Sequence, residues 1–237
     1  MSYYNEDSEL FMTISQYAFF ECDNPDCKLR FPGSEDHPRW NRCPVCRSSL
    51  HVVASVMNIS RTNNHFSIQK RGQVEVLLDN IRSAWNVGSI FRTSDGIGVQ
   101  KIYLCGITPT PDNPKVSKTA LGAETAIAWE KSNNSVLLAL ELKSKGYILW
   151  ALEDLPEGVP LFQMEDYSAT SPILLILGNE VCGVDPGIIE ICHNVVSIPM
   201  LGTKQSYNVS IAFGIAASFL LYRQSESQGS LRILPKT

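Results

Sequence analysis

The sequence predicts an α/β protein in which helices cover both faces of a mostly parallel sheet, preceded by a small cysteine-rich module. After residue 72, short apolar runs alternate with segments of helical spacing, which is typical of parallel strands joined by helices. Several of these runs are apolar throughout, as strands buried on both faces are. Residues 1–60 hold four of the seven cysteines and many turn-forming residues. We therefore expect two units of different kinds.

The predicted elements of the larger unit follow one another in regular order. The apolar run at 74–78 predicts a strand, and apolar residues at helical spacing from 87 to 97 predict a helix after it. The remaining strands are predicted at 99–105, 147–152, 173–177 and 195–198, and the remaining helices at 135–145, 186–192 and 208–224. The proline-rich segment at 108–124 is expected to be a loop, either an ordinary solvated loop or one whose Lys115 and Lys118 contact phosphates. The domain boundaries are then a module over 1–60, a linker over 61–72, an α/β domain over 73–225 and a tail over 226–237.

Composition and charge argue against several classes of protein. A net charge of −4 argues against a protein that coats DNA with a basic surface, although a local basic patch is compatible with it. The longest apolar stretch, 211–222, is interrupted by Gly214 and Ser218 and is shorter than the roughly 18–20 residues that cross a bilayer. The polar, acidic N-terminus has no signal-peptide pattern. We expect a cytoplasmic protein with no membrane partner.

Four cysteines stand in two pairs, Cys22-x4-Cys27 and Cys43-x2-Cys46. Thiolates on two tight turns can complete a tetrahedral Zn²⁺ site, and a closed four-sulfur site is structural because no coordination position stays open. So small a module buries too little apolar surface to fold unaided. The sequence therefore predicts structural zinc in a zinc-ribbon-like module, with unrelated buried or redox-active cysteines as the alternative. The other three cysteines are expected to be small buried side chains: Cys105, Cys182 and Cys192.

Residues 80–95 form the first of three polar segments that each follow a predicted strand. Asn86 stands where the N-cap of the following helix is expected, and Arg92 comes nearly two helical turns later. A capping asparagine and a solvent-exposed arginine would account for both residues without any function. This segment alone is therefore a weak indication of a site.

The other two polar segments follow strands nearer the C-terminus. In residues 177–186 two glycines bracket Glu180, and glycine lets the backbone approach a ligand closely at the carboxyl end of a strand. In residues 198–212 a loop leads to Ser206 and Asn208 at the start of the last helix, where both could also serve as caps. Each segment alone is again weak, and the specificity lies in finding all three in this order.

Taken together, the three segments resemble the SpoU/TrmH-type methyltransferases of the SPOUT superfamily, over residues 73–225. Tyr207 is a departure, because the family has leucine at that place in its third element. The positions that match the three family elements are Asn86, Gly88 and Arg92; Gly178, Glu180 and Gly183; and Ile198, Met200, Gly202, Ser206, Asn208 and Ser210.

This resemblance implies a C-terminal segment threaded into a trefoil knot, a topology otherwise nearly absent from proteins. It also implies that S-adenosylmethionine binds in the knot against backbone groups of three loops. Family members form homodimers through the first and last helices of the domain, so that residues of both protomers build each pocket. The cofactor contacts that the resemblance implies are Leu152, Gly178, Ile198, Met200 and Tyr207.

The implied activity is methyl transfer to a ribose 2′-hydroxyl of structured RNA, either tRNA or rRNA. Arg92 is implied as a catalytic residue, acting as a base or as an electrostatic stabiliser, and the second role is physically easier for a guanidinium. Asn86, Ser206, Asn208 and Glu180 would hold Arg92, the ribose and the loops. RNA base methylation and a catalytically silent RNA-binding protein are the alternatives, and no DNA partner is expected.

Overall fold

The computed structural model describes residues 17–34, 41–56, 74–164 and 171–226. The chain divides into two compact units at about residue 65. The predicted linker over 61–72 and the predicted tail after residue 226 lie outside the described residues. Among the described residues, every helix is too short or too polar to cross a membrane.

The N-terminal unit is built on a three-stranded antiparallel sheet. Its strands, in the spatial order β2-β1-β3, are β1 (Tyr17–Cys22), β2 (Arg30–Ser34) and β3 (Leu50–Val56). Few apolar side chains are buried in it, chiefly Ala18 and Phe20, and the Phe20 ring stacks on Phe31 with centroids 5.8 Å apart. A core of this size gives little stability by itself, which agrees with the expectation that the module needs a further stabilising element.

The C-terminal unit is a seven-stranded sheet, and all its recorded pairings are parallel. Its strands are β4 (Val74–Asp79), β5 (Lys101–Cys105), β6 (Ala128–Ser132), β7 (Ile148–Leu152), β8 (Val159–Pro160), β9 (Ile173–Leu177) and β10 (Asn194–Ser197). Its helices are α1 (Ala84–Ile97), α2 (Pro114–Ala120), α3 (Ala123–Ala126), α4 (Ser135–Ser144), α5 (Pro186–Ile189) and α6 (Val209–Glu226). The predicted α/β class is confirmed.

The sheet buries one set of side chains on each face. On β4, Val76 and Leu78 face a core that includes residues of α1, α2 and α6, whereas Leu77 between them faces a core that includes residues of α4 and α5. Because both faces are covered, the central strands β4 and β9 are buried along their whole length. This explains why apolar runs without alternation predicted them correctly.

The strand order β6-β5-β4-β9-β7-β10-β8 brings three loops together. The chain runs outward from β4 through β5 to β6, and then returns past β4 to build the other half of the sheet. Strands β9, β7 and β10 therefore lie side by side in that order, although β7 comes before β9 along the chain. Ligands of open parallel sheets bind beyond the carboxyl ends of the strands, near such a reversal.

The prediction of a loop over 108–124 is wrong, because this segment contains the whole of α2 and the first two residues of α3. Asn113 caps α2 by accepting the Lys115 N–H over 3.0 Å, and Pro114 occupies the first helical position, where its missing N–H has no cost. Strand β6 was also not predicted. It lies at the edge of the sheet and exposes most of its polar sequence.

Two smaller expectations are also wrong. Ser83, and not Asn86, is the N-cap of α1, since its Oγ accepts the backbone N–H of Asn86 over 3.3 Å. This leaves the side chain of Asn86 available for other contacts. Cys105 is buried as expected and Cys192 partly so, but Cys182 is exposed because it lies on the turn between β9 and α5.

Candidate active site and cysteine cluster

A cavity of about 500 Å³ lies at the carboxyl ends of β7, β9 and β10. Its size falls within the range of roughly 300–1,000 Å³ that is usual for cofactor and small-molecule sites. All five predicted cofactor contacts line it, namely Leu152, Gly178, Ile198, Met200 and Tyr207. Three of the five predicted catalytic residues line it as well: Glu180, Ser206 and Asn208.

The turn after β9 is closed on itself, and its glycines are needed for that closure. Asn179 and Gly183 exchange two backbone hydrogen bonds of 2.9 Å each, and Gly183 has a φ of +75°. A Cβ on Gly178 would lie 2.1 Å from the backbone of Gly183 and Val184. Gly178 is therefore required by the close approach of the chain's own backbone, and not only by a ligand as the sequence suggested.

Glu180 joins this turn to the start of helix α1. Its carboxylate accepts hydrogen bonds from the backbone N–H groups of Arg82 and Ser83, at 2.8 and 3.1 Å, and from Asn86 Nδ2 at 3.0 Å. Burial opposes ionisation of the carboxyl, but these hydrogen bonds outweigh it and lower the pKa of Glu180 below its usual value. A charged Glu180 thus fixes the loop between β4 and α1.

Asn86 connects the second polar segment to the third. While its Nδ2 donates to Glu180, its Oδ1 accepts a hydrogen bond from Asn208 Nδ2 over 3.1 Å. Asn208 in turn begins α6, with its Oδ1 accepting from the backbone N–H and the hydroxyl of Ser210. The three segments singled out in the sequence therefore meet in one chain of side-chain hydrogen bonds.

Glu153 is a lining residue that the sequence did not indicate. Its Oε2 accepts the backbone N–H of Val184 over 2.9 Å, so it stabilises the end of the turn after β9. Glu153 is the first residue after the buried strand β7, and ligands of open parallel sheets bind beside residues at this place. This position is the signal that could have identified it.

The loop after β10 presents free polar backbone to the cavity. Within the described part of the chain, no hydrogen bond involves residues 199–207. Their side chains are largely exposed, and Tyr207 is 40% exposed. Backbone N–H and C=O groups that lack partners in a cavity wall are suited to bind a polar ligand.

Arg92 is the predicted catalytic residue that this cavity does not include. It lies on an exposed face of α1, six residues and therefore about 9 Å along the helix from Asn86. It lines neither the main cavity nor a second one of about 410 Å³, which is bordered by Arg82, Ser83, Asn86 and Glu180. Within the described residues its guanidinium has no ion pair.

The four paired cysteines of the N-terminal unit form one cluster. Cys22 Sγ lies 3.3 Å from Cys46 Sγ, Cys27 Sγ lies 3.8 Å from Cys43 Sγ, and all four sulfur atoms are within 4.8 Å of one another. Sulfur atoms around a tetrahedral zinc ion are about 3.8 Å apart, given a Zn–S distance of about 2.3 Å. The cluster therefore has the dimensions of a metal site.

The two halves of the cluster share a backbone feature. Lys28 and Arg47 each follow the second cysteine of a pair, and both have a positive φ, of +46° and +66°.

The thiols of the cluster differ in pKa. Hydrogen bonds from Ser48 lower the pKa of Cys46 to about 6, whereas burial raises the pKa of Cys22 to about 12. A bound cation would favour the thiolate form of all four.

Comparison with known proteins supports the family resemblance over the C-terminal unit. The model of the SpoU rRNA methylase family matches residues 73–218. A tRNA (guanosine(18)-2′-O)-methyltransferase of Aquifex aeolicus is 37% identical over 158 residues, covering 65% of this chain and 71% of the relative. A 23S rRNA (guanosine-2′-O-)-methyltransferase of Neisseria meningitidis is 31% identical over 144 residues, 60% of this chain and 56% of the relative.

Solved structures show the same likeness. The TrmH/SpoU tRNA modifying enzyme of A. aeolicus has a TM-score of 0.59 at 34% identity, covering 67% of this chain and 78% of the other. An AdoMet-bound rRNA methyltransferase from Sinorhizobium meliloti has a TM-score of 0.59 at 27% identity, covering 65% of this chain and 57% of the other. The family match leaves the cysteine cluster outside. On the evidence of its C-terminal unit, the chain belongs to the SpoU rRNA methylase family.

Proposed function

We propose that this chain transfers a methyl group from S-adenosylmethionine to a ribose 2′-hydroxyl of tRNA or rRNA. The observation that carries the proposal is the convergence of three loops on one cavity lined by all five predicted cofactor contacts. Relatives named as guanosine 2′-O-methyltransferases of tRNA and of 23S rRNA support the same chemistry. The trefoil knot that the resemblance implies stays a prediction.

The residues around the cavity suit S-adenosylmethionine, which supplies an activated methyl group on a positively charged sulfur when bound. The unpaired backbone groups of 199–207 would bind the polar edge of the adenine, and Leu152 and Ile198 would contact its faces. The carboxylate of Asp154 borders the same space and would favour a cationic ligand. Tyr207 would cover the adenine from the open side, with its hydroxyl directed to solvent.

Methyl transfer requires that the ribose oxygen lose its proton while it gains the methyl group. A guanidinium keeps its own proton in proteins, so we assign Arg92 an electrostatic role. It would stabilise negative charge developing on that oxygen and hold a neighbouring substrate phosphate, which would accept the proton. Asn86 and Asn208 would orient the ribose, and Ser206 would hold the loop beside it. Glu180 would keep Asn86 in place through the hydrogen bond already described.

We further propose that two copies of the chain complete each site. Arg92 lines neither of the two cavities described above, and a second copy packed on α1 and α6 would allow it to serve the partner's cavity. Ile211 and Tyr222 are exposed apolar residues on α6, at positions eleven apart that share one helix face. Such a face is suited to a homodimer interface.

The cysteine cluster would hold a structural zinc ion. Four thiolates complete its coordination and leave no position for a substrate, so the ion would stabilise the N-terminal unit and take no part in methyl transfer. Reduced cysteines and an RNA substrate fit the cytoplasm as the place of action.

The direct test is methyl transfer in vitro from a radiolabelled donor to RNA from cells that lack this protein. A methylated ribose cannot undergo alkaline cleavage, because that reaction needs the free 2′-hydroxyl. We therefore expect label in alkali-resistant dinucleotides. Label in single nucleotides would instead indicate base methylation, and binding of RNA without any incorporation would indicate a catalytically silent RNA-binding protein.

A further inference from the structure

Trp85 is an exposed aromatic residue on the first turn of α1, next in sequence to a residue of the second cavity. Its side chain is 45% exposed although tryptophan is usually well covered, and its neighbour Asn86 borders that cavity. The ammonium of Lys118, on α2, lies 5.7 Å from the centroid of its ring. This distance is within the roughly 6 Å over which a cation and an aromatic face attract each other.

The ring is carried on a rigid support. Thr119 Oγ1, on α2, lies 3.4 Å from the backbone oxygen of Trp85 and 3.1 Å from those of Lys115 and Val116, so α2 contacts the first turn of α1 here. Helices α1 and α2 pack so closely that a Cβ on Gly88 would lie 1.9 Å from Thr119 Oγ1. An aromatic face held by two tightly packed helices loses little entropy when a ligand stacks on it.

Three exposed cations belong to the segments that meet here, and one of them, Lys118, is within reach of the Trp85 ring. Arg82, Lys115 and Lys118 are all exposed, and none of the three forms an ion pair with another described residue. Lys115 and Lys118 are three residues apart on α2 and therefore share one face. Glu180, the acidic neighbour of Arg82, is already engaged by three hydrogen-bond donors. In a chain with a net charge of −4, this is a local basic patch.

We propose that Trp85, with Arg82, Lys115 and Lys118, binds an unpaired RNA nucleotide next to the one that is methylated. The base would stack on the exposed face of Trp85, and the three cations would contact the flanking phosphates. Exposed aromatic rings interleaved with unpaired cations are how proteins hold single-stranded nucleic acid. The inference rests on the proposed function, because it places this nucleotide beside the cavity bordered by Asn86 and Glu180.

The test is equilibrium binding of a fluorescein-labelled single-stranded RNA of mixed sequence, at low salt and without a methyl donor. Trp85→Ala should weaken binding by about tenfold, which equals about 1.4 kcal/mol, whereas Trp85→Phe keeps a stacking face and should stay within about threefold. Lys118→Ala should lower the salt dependence, since each lost phosphate contact reduces the slope by about 0.7 for single strands. Leu137→Ala, an exposed apolar residue on α4, is the matched control and should bind as wild type.

Unchanged RNA affinity in Trp85→Ala would overturn this inference, because it would remove the residue from the RNA surface. If light scattering then also showed an altered oligomeric state, the ring would be assigned to a protein interface. Because no methyl donor is present, an inactive enzyme could still bind RNA here. Conversely, normal methyl transfer by wild type with unchanged binding by Trp85→Ala would refute only this inference, and not the proposed function.

Discussion

Asn86 Nδ2 donates a hydrogen bond to Glu180 Oε1 over 3.0 Å, although 94 residues separate the two in the chain. The contact joins the start of α1 to the turn after β9, and Asn208 extends it to the start of α6. The carboxylate of Glu180 thus orders both the loop between β4 and α1 and the turn that borders the larger cavity. Changes at this contact should therefore affect stability and activity together.

Glu180→Gln should destabilise the chain at neutral pH and reduce methyl transfer by roughly a hundredfold. The folded state lowers the pKa of Glu180, so its contribution to stability is present above the pKa of the unfolded chain and is lost as the pH falls through the lower folded pKa. The difference in unfolding free energy between wild type and Glu180→Gln should hence shrink below about pH 4. Denaturant unfolding at several pH values measures it. Glu157→Gln, an exposed glutamate, is the control, and an equal pH dependence in both variants would contradict the assignment.

Gly178→Ala should abolish binding of S-adenosylmethionine. The new methyl group would lie 2.1 Å from the backbone of Gly183 and Val184, and backbone on both sides of a closed turn cannot move away without opening it. The matched control is Gly96→Ala on α1, since nothing lies within 4 Å of a Cβ at Gly96 and this residue does not line the cavity. Calorimetric titration with the cofactor should give wild-type affinity for Gly96→Ala and no measurable heat for Gly178→Ala. Retained binding by a folded Gly178→Ala would place the donor elsewhere.

The purified chain should contain one zinc ion, and Cys43→Ser should lose it. Removing one of four thiolates opens the site, and the small N-terminal core cannot compensate for the lost metal. Cys182→Ser is the control, because this exposed cysteine lies outside the cluster. Metal analysis by mass spectrometry measures the zinc, and proteolysis should cut the N-terminal unit of Cys43→Ser first. Equal zinc in both variants would contradict the assignment.

Arg92→Ala should keep its affinity for the cofactor, since Arg92 does not line the larger cavity. The rate of methyl transfer should fall by roughly 10²–10³-fold, because the electrostatic stabilisation is lost. If Arg92 serves the partner's cavity, mixing Arg92→Ala with Met200→Arg, whose own donor cavity is blocked, should restore activity in mixed dimers. Each mixed dimer then holds one intact cavity with one intact arginine. Assays of each variant alone and of the refolded mixture measure this. Activity that never exceeds the separate variants would assign Arg92 to its own chain's site.

The sequence correctly predicted the elements whose hydrophobic pattern reflects how they are buried in the fold. Strands β4 and β9 are apolar throughout because both faces of the sheet are covered. Strand β6 was missed because an edge strand exposes polar residues, and α2 was missed although Asn113 and Pro114 are an ordinary helix start. Both elements were missed because composition was given more weight than the edge position of β6 and the capping residues of α2.

The candidate site was likewise predicted only in part. Five residues of the larger cavity could be named because the family resemblance implies cofactor contacts in three loops that follow strands. The contacts among Asn86, Glu180 and Asn208 could not be predicted, since they depend on how distant loops meet in space. The brace from Glu153 was missed for the same reason.

The most direct test of ribose methylation is a map of 2′-O-methyl sites in RNA from cells with and without this chain. We predict that at least one site in tRNA or rRNA disappears without it, returns with the wild-type chain and stays absent with Arg92→Ala. A map in which every site persists without the chain would contradict the assignment.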